Sequence, residues 1–196
     1  MVPDELPRHT VEVDSFLLCQ TEVTQEEWAK VMNEPSPSKS VRRLPKTGIT
    51  WDDAQAYLKR ISKRDGRAYR LPTEAEWEFA AQLDKGVALE KVAWFRANAA
   101  QSAKPVASLE PNRHGLYDMF GNVWEWIADW YDEEYYAKSP KVNPQGAPEG
   151  ERRVVRGGAF NSIQSYLRPG ARMAFAPATK SEFTGFRCAA SVMTKP

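Results

Sequence analysis

The sequence predicts an α+β domain on three observations: helix-start signals crowd the first half, short strand-like runs stand near both ends, and glycine, proline and asparagine interrupt almost everything after Asp84. The helix signals repeat one chemical device. In Thr24-Gln25-Glu26-Glu27 the threonine oxygen can accept the amide proton three residues on while Glu27 reaches back, and Trp28, Val31 and Met32 follow as an apolar stripe that should stop before Pro35. Thr50-Trp51-Asp52-Asp53 opens a second helix, with Ala54, Tyr57, Leu58 and Ile61 on one face and Gly66 as its terminator. A third starts at Thr73-Glu74-Ala75-Glu76 and carries Trp77, Ala80 and Ala81.

Strands are expected over 9–19, 153–156 and 185–191, where valine and phenylalanine recur among polar residues, with the terminal runs pairing in one sheet. Segment 136–151 holds Pro140, Pro144, Pro148, Gly146 and Gly150 and reads as an exposed loop. Residues 162–184 read as a surface excursion between two anchors, Arg156-Gly157-Gly158 and Gly185-Phe186-Arg187. The arginines of this tail have no local carboxylate partners, which predicts long-range pairs that tie the fold together.

With 196 residues the chain is expected to form one domain over 1–196. Its 27 basic and 26 acidic residues nearly cancel, so no nucleic-acid footprint emerges, and the short cluster Lys39, Arg42, Arg43 and Lys46 reads as a solvated loop. No apolar run approaches the roughly 20 residues of a membrane-spanning helix. The opening Met1-Val2-Pro3-Asp4 shows no signal-peptide pattern, which leaves bacterial cytoplasm and cell envelope both open. Two cysteines, Cys19 and Cys188, exclude a disulfide-rich scaffold and a cysteine-only zinc site. Each stands in a strand-like run, where a buried free thiol is the commoner state and a mutual disulfide the alternative.

Nucleophilic chemistry finds little support. A Cys-His pair would have to be drawn from two cysteines and from His9 and His114, and no Gly-x-Ser-x-Gly elbow occurs. The most unusual stretch is Gly115 to Trp126, which puts four aromatics, two glycines and two carboxylates into twelve residues without helical or alternating period. Its backbone must find partners outside a regular ladder. One reading is a hard cation held by Asp118, Glu125 and main-chain carbonyls, since calcium takes six to eight oxygens. The other is that Glu125 is satisfied by arginine or backbone amides and the tryptophans are core. From the residues alone the second is the commoner outcome.

Read in order, Glu22-Val23-Thr24, Thr50-Trp51-Asp52-Asp53-Ala54, Arg70-Leu71-Pro72-Thr73-Glu74-Ala75-Glu76-Trp77-Glu78, Gly115-Leu116-Tyr117-Asp118, Gly121-Asn122-Val123-Trp124-Glu125-Trp126, Arg156-Gly157-Gly158 and Gly185-Phe186-Arg187 resemble the formylglycine-generating-enzyme, or sulfatase-modifying-factor, family from about Leu6 to Ala190. The resemblance implies a C-type-lectin-like fold: a small twisted antiparallel sheet, two or three helices and much irregular backbone. It also favours calcium at Asp118, Gly121, Val123 and Glu125, the first and last through side-chain oxygens. A second family calcium site is poorly matched, with Asn98 as its candidate ligand.

The family's oxidases hold copper(I) with two thiolates shortly after the Arg-Gly-Gly motif, and thiolates are what copper(I) selects. Here those positions are Ser162 and Leu167, and no cysteine occurs anywhere between Cys19 and Cys188. Copper is therefore not expected. Cys188 matches a position that forms a structural disulfide in some relatives, with Leu58 at the partner position. The expectation is a non-catalytic recognition module for a protein, peptide or glycan, with Trp124, Asn161, Ser162, Tyr166 and Arg172 as groove residues. Alternatives are a divergent metal-dependent oxidase, an accessory domain of a larger kinase or secretion-system protein, and a retroelement-diversified variable binding protein. The loop 162–184 lacks the asparagine, serine and tyrosine enrichment of the last.

Overall fold

The computed structural model describes residues 3–83 and 86–192. A 3-10 turn at Pro3–Glu5 leads to β1 (Phe16–Leu18), α1 (Gln25–Met32), α2 (Trp51–Asp65), β2 (Tyr69–Arg70) and α3 (Glu74–Ala80). Then come α4 (Leu89–Val92), β3 (Ala93–Trp94), β4 (Phe120–Gly121), β5 (Trp124–Trp130), α5 (Tyr135–Lys138) and β6 (Arg153–Arg156). A 3-10 turn at Gln164–Tyr166, β7 (Met173–Phe175), β8 (Thr184–Gly185) and β9 (Ala189–Ser191) complete the order. Among the described residues no helix is long and apolar enough to cross a membrane.

All three expected capping boxes form, with Thr24, Thr50 and Thr73 each accepting from the third helical amide and each answered by its acidic partner. The helix ends are equally local in origin. Asn33 and Gly66 close α1 and α2 in the left-handed conformation, which asparagine tolerates and glycine adopts freely. The apolar face of α2 packs as its spacing predicts, Ala54, Tyr57, Leu58 and Ile61 all being buried.

Among the described residues three small sheets form, in the orders β1-β9-β2, β3-β4 and β7-β6-β5-β8. The termini do pair, β1 antiparallel to β9. Two features depart from the expected antiparallel sheet, because β3 pairs β4 and β5 pairs β8 in parallel. The strand expected over 9–19 is regular only at Phe16–Leu18. The excursion 162–184 contains β7 and buries Leu167, Ala171 and Arg172, so it is partly core rather than wholly surface.

The four-stranded sheet separates two apolar clusters, and adjacent side chains of its central strands point to opposite ones. Trp124, Trp126 and Val155 join α1 and α2 around Phe186 and Leu58. Ile127 and Val154 join α3 around Trp77, Phe120 and Leu167. β5 is therefore covered on both faces, which is the reason it shows no polar alternation in sequence.

Candidate functional site: a buried acidic centre and an aromatic ledge

Between Trp124 and Trp126 the strand turns Glu125 to the other side, where it is fully buried. Arg187 donates to its Oε1 at 2.7 and 2.9 Å and to its Oε2 at 2.8 Å, and Trp77 Nε1 donates to Oε2 at 2.8 Å. Both oxygens are thus saturated. Arg187 also donates to the carbonyls of Tyr117, Cys19 and Gln20, so one guanidinium ties β5, the β9 approach and the loops before α1 and β4. The expected long-range pairing of the tail arginines is met here.

Two more carboxylates share this interior. Glu22 accepts from Asn122 Nδ2 at 2.8 Å and from the Val123 amide at 3.3 Å. Burial, with Asp118 and Glu125 adding repulsion, pushes its carboxyl well above the usual range. Asp118, in the left-handed region at φ 55°, accepts from the Ala107 amide at 2.8 Å through Oδ2, while its buried Oδ1 has no hydrogen-bond partner. Burial raises its carboxyl as well, against that amide and Arg187.

The turn that carries these groups needs its glycine. A Cβ on Gly121, at φ 75°, would lie 2.0 Å from the Trp94 carbonyl oxygen. Asn122 follows at φ 50° and bridges outward, its Oδ1 accepting from the Lys104 amide at 2.9 Å and its carbonyl from the Phe160 amide at 2.8 Å.

Of the residues expected to line a groove, Trp124 and Tyr166 meet, Asn161 and Ser162 stand in the corner after Gly158, and Arg172 lies elsewhere. Ser162 and Leu167 both lie against Gly158, whose added Cβ would meet Leu167 Cδ2 at 2.5 Å and Ser162 Cβ at 3.6 Å. Ser162 Oγ accepts from the Ala159 amide at 2.9 Å, and Leu167 is buried in the α3 cluster. Tyr166, 38 % exposed, stands edge-on to Trp124 with ring centroids 6.0 Å apart. Asn161 and Ile163 of the same loop are exposed, and Phe160 packs on Phe183 at 5.3 Å, so this corner of the surface is an aromatic ledge.

Arg172 is elsewhere. Its side chain has no exposure and donates to both oxygens of Glu74 at 2.8 and 3.0 Å, under the rings of Tyr136 and Tyr131 at 4.4 and 4.9 Å. The expectation that it faces the groove with Trp124 and Tyr166 is corrected on that ground: Glu74 on α3 holds it inside. Asn98 donates to the Ala93 carbonyl and accepts from the Phe95 amide, closing its own loop.

Arg172 belongs to a second acidic centre that sequence reasoning missed. Arg156 pairs with Glu78 and lies 3.5 Å from Glu74, and Asp129 Oδ1 accepts from the Glu74 amide at 3.0 Å. Burial, with Glu74 beside it, pushes the Asp129 carboxyl up to about 8. An open cleft of about 440 Å³ lies over this centre, lined by Glu74, Asp129, Tyr136, His9 and Arg168 among others. Nothing local announces it, since its members come from α3, β5, α5 and the tail.

The side chains do not build a metal cage by themselves: among the described residues no group of three or more His, Cys, Asp or Glu is placed to hold an ion. Glu125 is engaged by Arg187 and Trp77, as the second reading of its sequence had it. Asp118 Oδ1 is the one acidic oxygen of the expected set that stays without a partner.

A mixed α/β core around a buried Glu-Arg pair, with the glycine-tight turn Gly121-Asn122 and the Arg-Gly-Gly corner, defines a domain of the sulfatase-modifying-factor class. The match is direct. Residues 2–192 fit the sulfatase-modifying factor enzyme 1-like domain, and the chain belongs to that family. It is 40 % identical over 171 aligned positions to a formylglycine-generating enzyme of Streptomyces coelicolor, covering 74 % of this chain and 52 % of that protein. It is 36 % identical over 225 positions to the serine/threonine-protein kinase pkn1 of Chlamydia pneumoniae, covering 96 % of this chain and 35 % of the kinase. The chain thus spans about half or less of the length of these relatives. Among solved structures, Treponema denticola variable protein 1 superposes with a TM-score of 0.86 at 27 % identity, covering 94 % of this chain and 87 % of that one.

Proposed function

We propose that this domain is a non-catalytic recognition module whose ligand, a peptide or glycan on a partner molecule, rests on the ledge of Trp124, Tyr166, Asn161 and Ile163. The observation that carries this reading is the pair Ser162 and Leu167. Where the resembling oxidases are expected to hold two thiolates, a hydroxyl and an isobutyl group pack together against Gly158, and the hydroxyl already serves the Ala159 amide. Neither is a soft ligand, so the copper(I) chemistry has no donors there. What remains at the same place is a half-exposed tyrosine set on a buried tryptophan, an amphipathic anchor of the kind that dominates recognition surfaces. The likeness to a variable protein supports a use of this fold other than oxidation.

The test has two arms. Incubated with copper(I), oxygen and a cysteine-containing peptide of the sulfatase type, the chain should yield no formylglycine aldehyde by mass spectrometry. On peptide and glycan arrays it should retain ligands that Tyr166→Ala loses by tenfold or more. Aldehyde formation would sink the reading, as would array ligands indifferent to Tyr166.

A second reading concerns context. Nearly all of this chain aligns with only a third of the Chlamydia kinase, which supports service as an accessory domain in a longer protein, with the ledge turned to the rest of that assembly.

Calcium is proposed at Asp118, with the Gly121 and Val123 carbonyls as further oxygens and Glu125 left to Arg187. The support is the unpartnered buried Oδ1 in an interior where three carboxylates face one guanidinium. When bound, the ion would balance that charge and fix the turn; no reaction step depends on it. Calorimetric titration of chelator-treated protein should show one site that Asp118→Asn removes, and a silent titration would exclude it.

A further inference from the structure

Cys19 and Cys188 are the chain's two cysteines, and the fold seats them opposite one another. β1 and β9 run in the register Phe16 to Ser191, Leu17 to Ala190 and Leu18 to Ala189. One more step sets Cys19 against Cys188, and the Cys19 amide donates to the Cys188 carbonyl at 2.8 Å. Directly opposed residues of an antiparallel pair have Cα atoms about 4.5–5.5 Å apart. That falls inside the roughly 4.4–6.8 Å that a disulfide requires.

The two thiols differ in access and in acidity. Both are free, Cys19 exposed and Cys188 buried. The facing Cys188 thiol, against the cost of desolvation and with help from Arg187, brings the Cys19 thiol down to about 7, while Cys188 is pushed up by Cys19 and by burial. An exposed, acidic thiol backed by a buried one is the arrangement of an attacking and a resolving cysteine. Leu58, the position that the family resemblance pairs with Cys188, is a buried leucine, so Cys188 has no other cysteine to meet.

We propose that Cys19 and Cys188 form a reversible intramolecular disulfide that fastens β1 to β9 beside Arg187. With a small-molecule disulfide as oxidant, the Cys19 thiolate attacks one of its sulfurs and expels the other as a thiol. Cys188, once deprotonated, attacks Cys19 Sγ in the mixed disulfide and expels the second thiol. Two protein thiols lose two electrons and two protons, and the oxidant gains both as it becomes two thiols. The closed ring encloses most of the chain and carries the N-terminal strand with it, so the redox state of the solvent sets how firmly the first strand is held.

The experiment uses the full chain, equilibrated over a series of oxidised-to-reduced glutathione ratios, quenched in acid, alkylated and weighed intact. The expected result is a single transition from two alkylatable thiols to none, with the mass lower by about 2 Da, reversed by dithiothreitol. Cys19→Ser and Cys188→Ala should each abolish it, and the oxidised chain should melt higher by roughly 5–15 °C. Should Cys188→Ala fail to fold, Cys19→Ser, at an exposed position, carries the control. Two alkylatable thiols across the whole series would overturn the proposal, and so would a glutathione adduct or an interchain dimer as the final oxidised state.

Discussion

Two acidic centres flank Trp77, whose indole N–H donates to Glu125 and whose ring carries Arg156, and they meet the same physical problem differently. Around Arg187 gather Glu22, Asp118 and Glu125, three carboxylates against one guanidinium. Around Arg156 and Arg172 gather Glu74, Glu78 and Asp129, three against two. In each, one buried carboxylate, Glu125 or Glu74, is gripped by arginine on both oxygens, and the excess falls on a neighbour whose ionised form burial disfavours. At the second centre the excess is one, and a proton on Asp129 removes it. At the first the excess is two, and one of the groups, Asp118, keeps an oxygen unpartnered. The lesson is that a Glu-Arg pair holds the fold, whereas the surplus acid beside it is the group whose charge its surroundings leave uncompensated.

The largest effect should come from breaking the first pair. Arg187 and Glu125 are 0 and 1 % exposed, so solvent screening gives no relief when one partner goes. Arg187→Met leaves a buried carboxylate holding only the Trp77 N–H, and we expect a loss of about 3–5 kcal/mol, read from urea denaturation. The double change Arg187→Met with Glu125→Gln should recover a large part of it. A single mutant close to wild type would mean that the pair does not hold the core.

Next in size is the pH response of the second centre. Asp129 has an unfolded value of about 3.9 and a folded value of about 8, so the folded chain binds the extra proton between them. Its contribution to stability is complete below the unfolded value and is lost as pH rises through the folded one. Wild type should therefore lose stability, on the order of a few kcal/mol, as pH climbs from about 4 towards 9. Asp129→Asn keeps an acceptor for the Glu74 amide and should flatten that slope in denaturation curves taken across the range. An unchanged slope would place the titration on another group.

How much of this was legible in the sequence follows from where each signal is written. The caps at Thr24, Thr50 and Thr73 and the stop at Gly66 are local hydrogen-bond chemistry, so residues three apart disclose them. The buried face of α2 is equally local, a spacing of three and four. β5 was hidden for the opposite reason: Trp124 to Trp130 is packed on both faces and cannot show the alternation that marks a half-buried strand. The arginines of the tail announced that they would pair at long range, and they do, but not with whom. Arg172 and Glu74 are 98 residues apart, and no spacing rule reaches that far. The position of Arg172 was consequently misjudged, and the cleft with Asp129 and Tyr136 went unseen.

The smallest effect on stability should fall on the ledge, and that smallness sharpens the contrast with the buried centres. Tyr166 is 38 % exposed, and its ring meets Trp124 at a T-shaped 75°. Removing the ring forfeits an edge-to-face contact, for which about 0.5–1.5 kcal/mol is typical, together with the buried part of a half-exposed side chain. Tyr166→Ala should thus cost no more than about 2 kcal/mol, below the loss expected at Arg187, while losing its array ligands. The two readouts must separate if the ledge is for recognition, because a residue kept for packing would show its loss in the melt and not in binding. Ser162→Ala supplies the contrast, since it strips an acceptor from the buried Ala159 amide and should cost about 1–3 kcal/mol without touching the exposed ring. If instead Ser162→Ala abolished binding and left the melt unmoved, the ligand would be reaching the Gly158 corner, and the site would lie in the position of the missing thiolates rather than on the ledge above it.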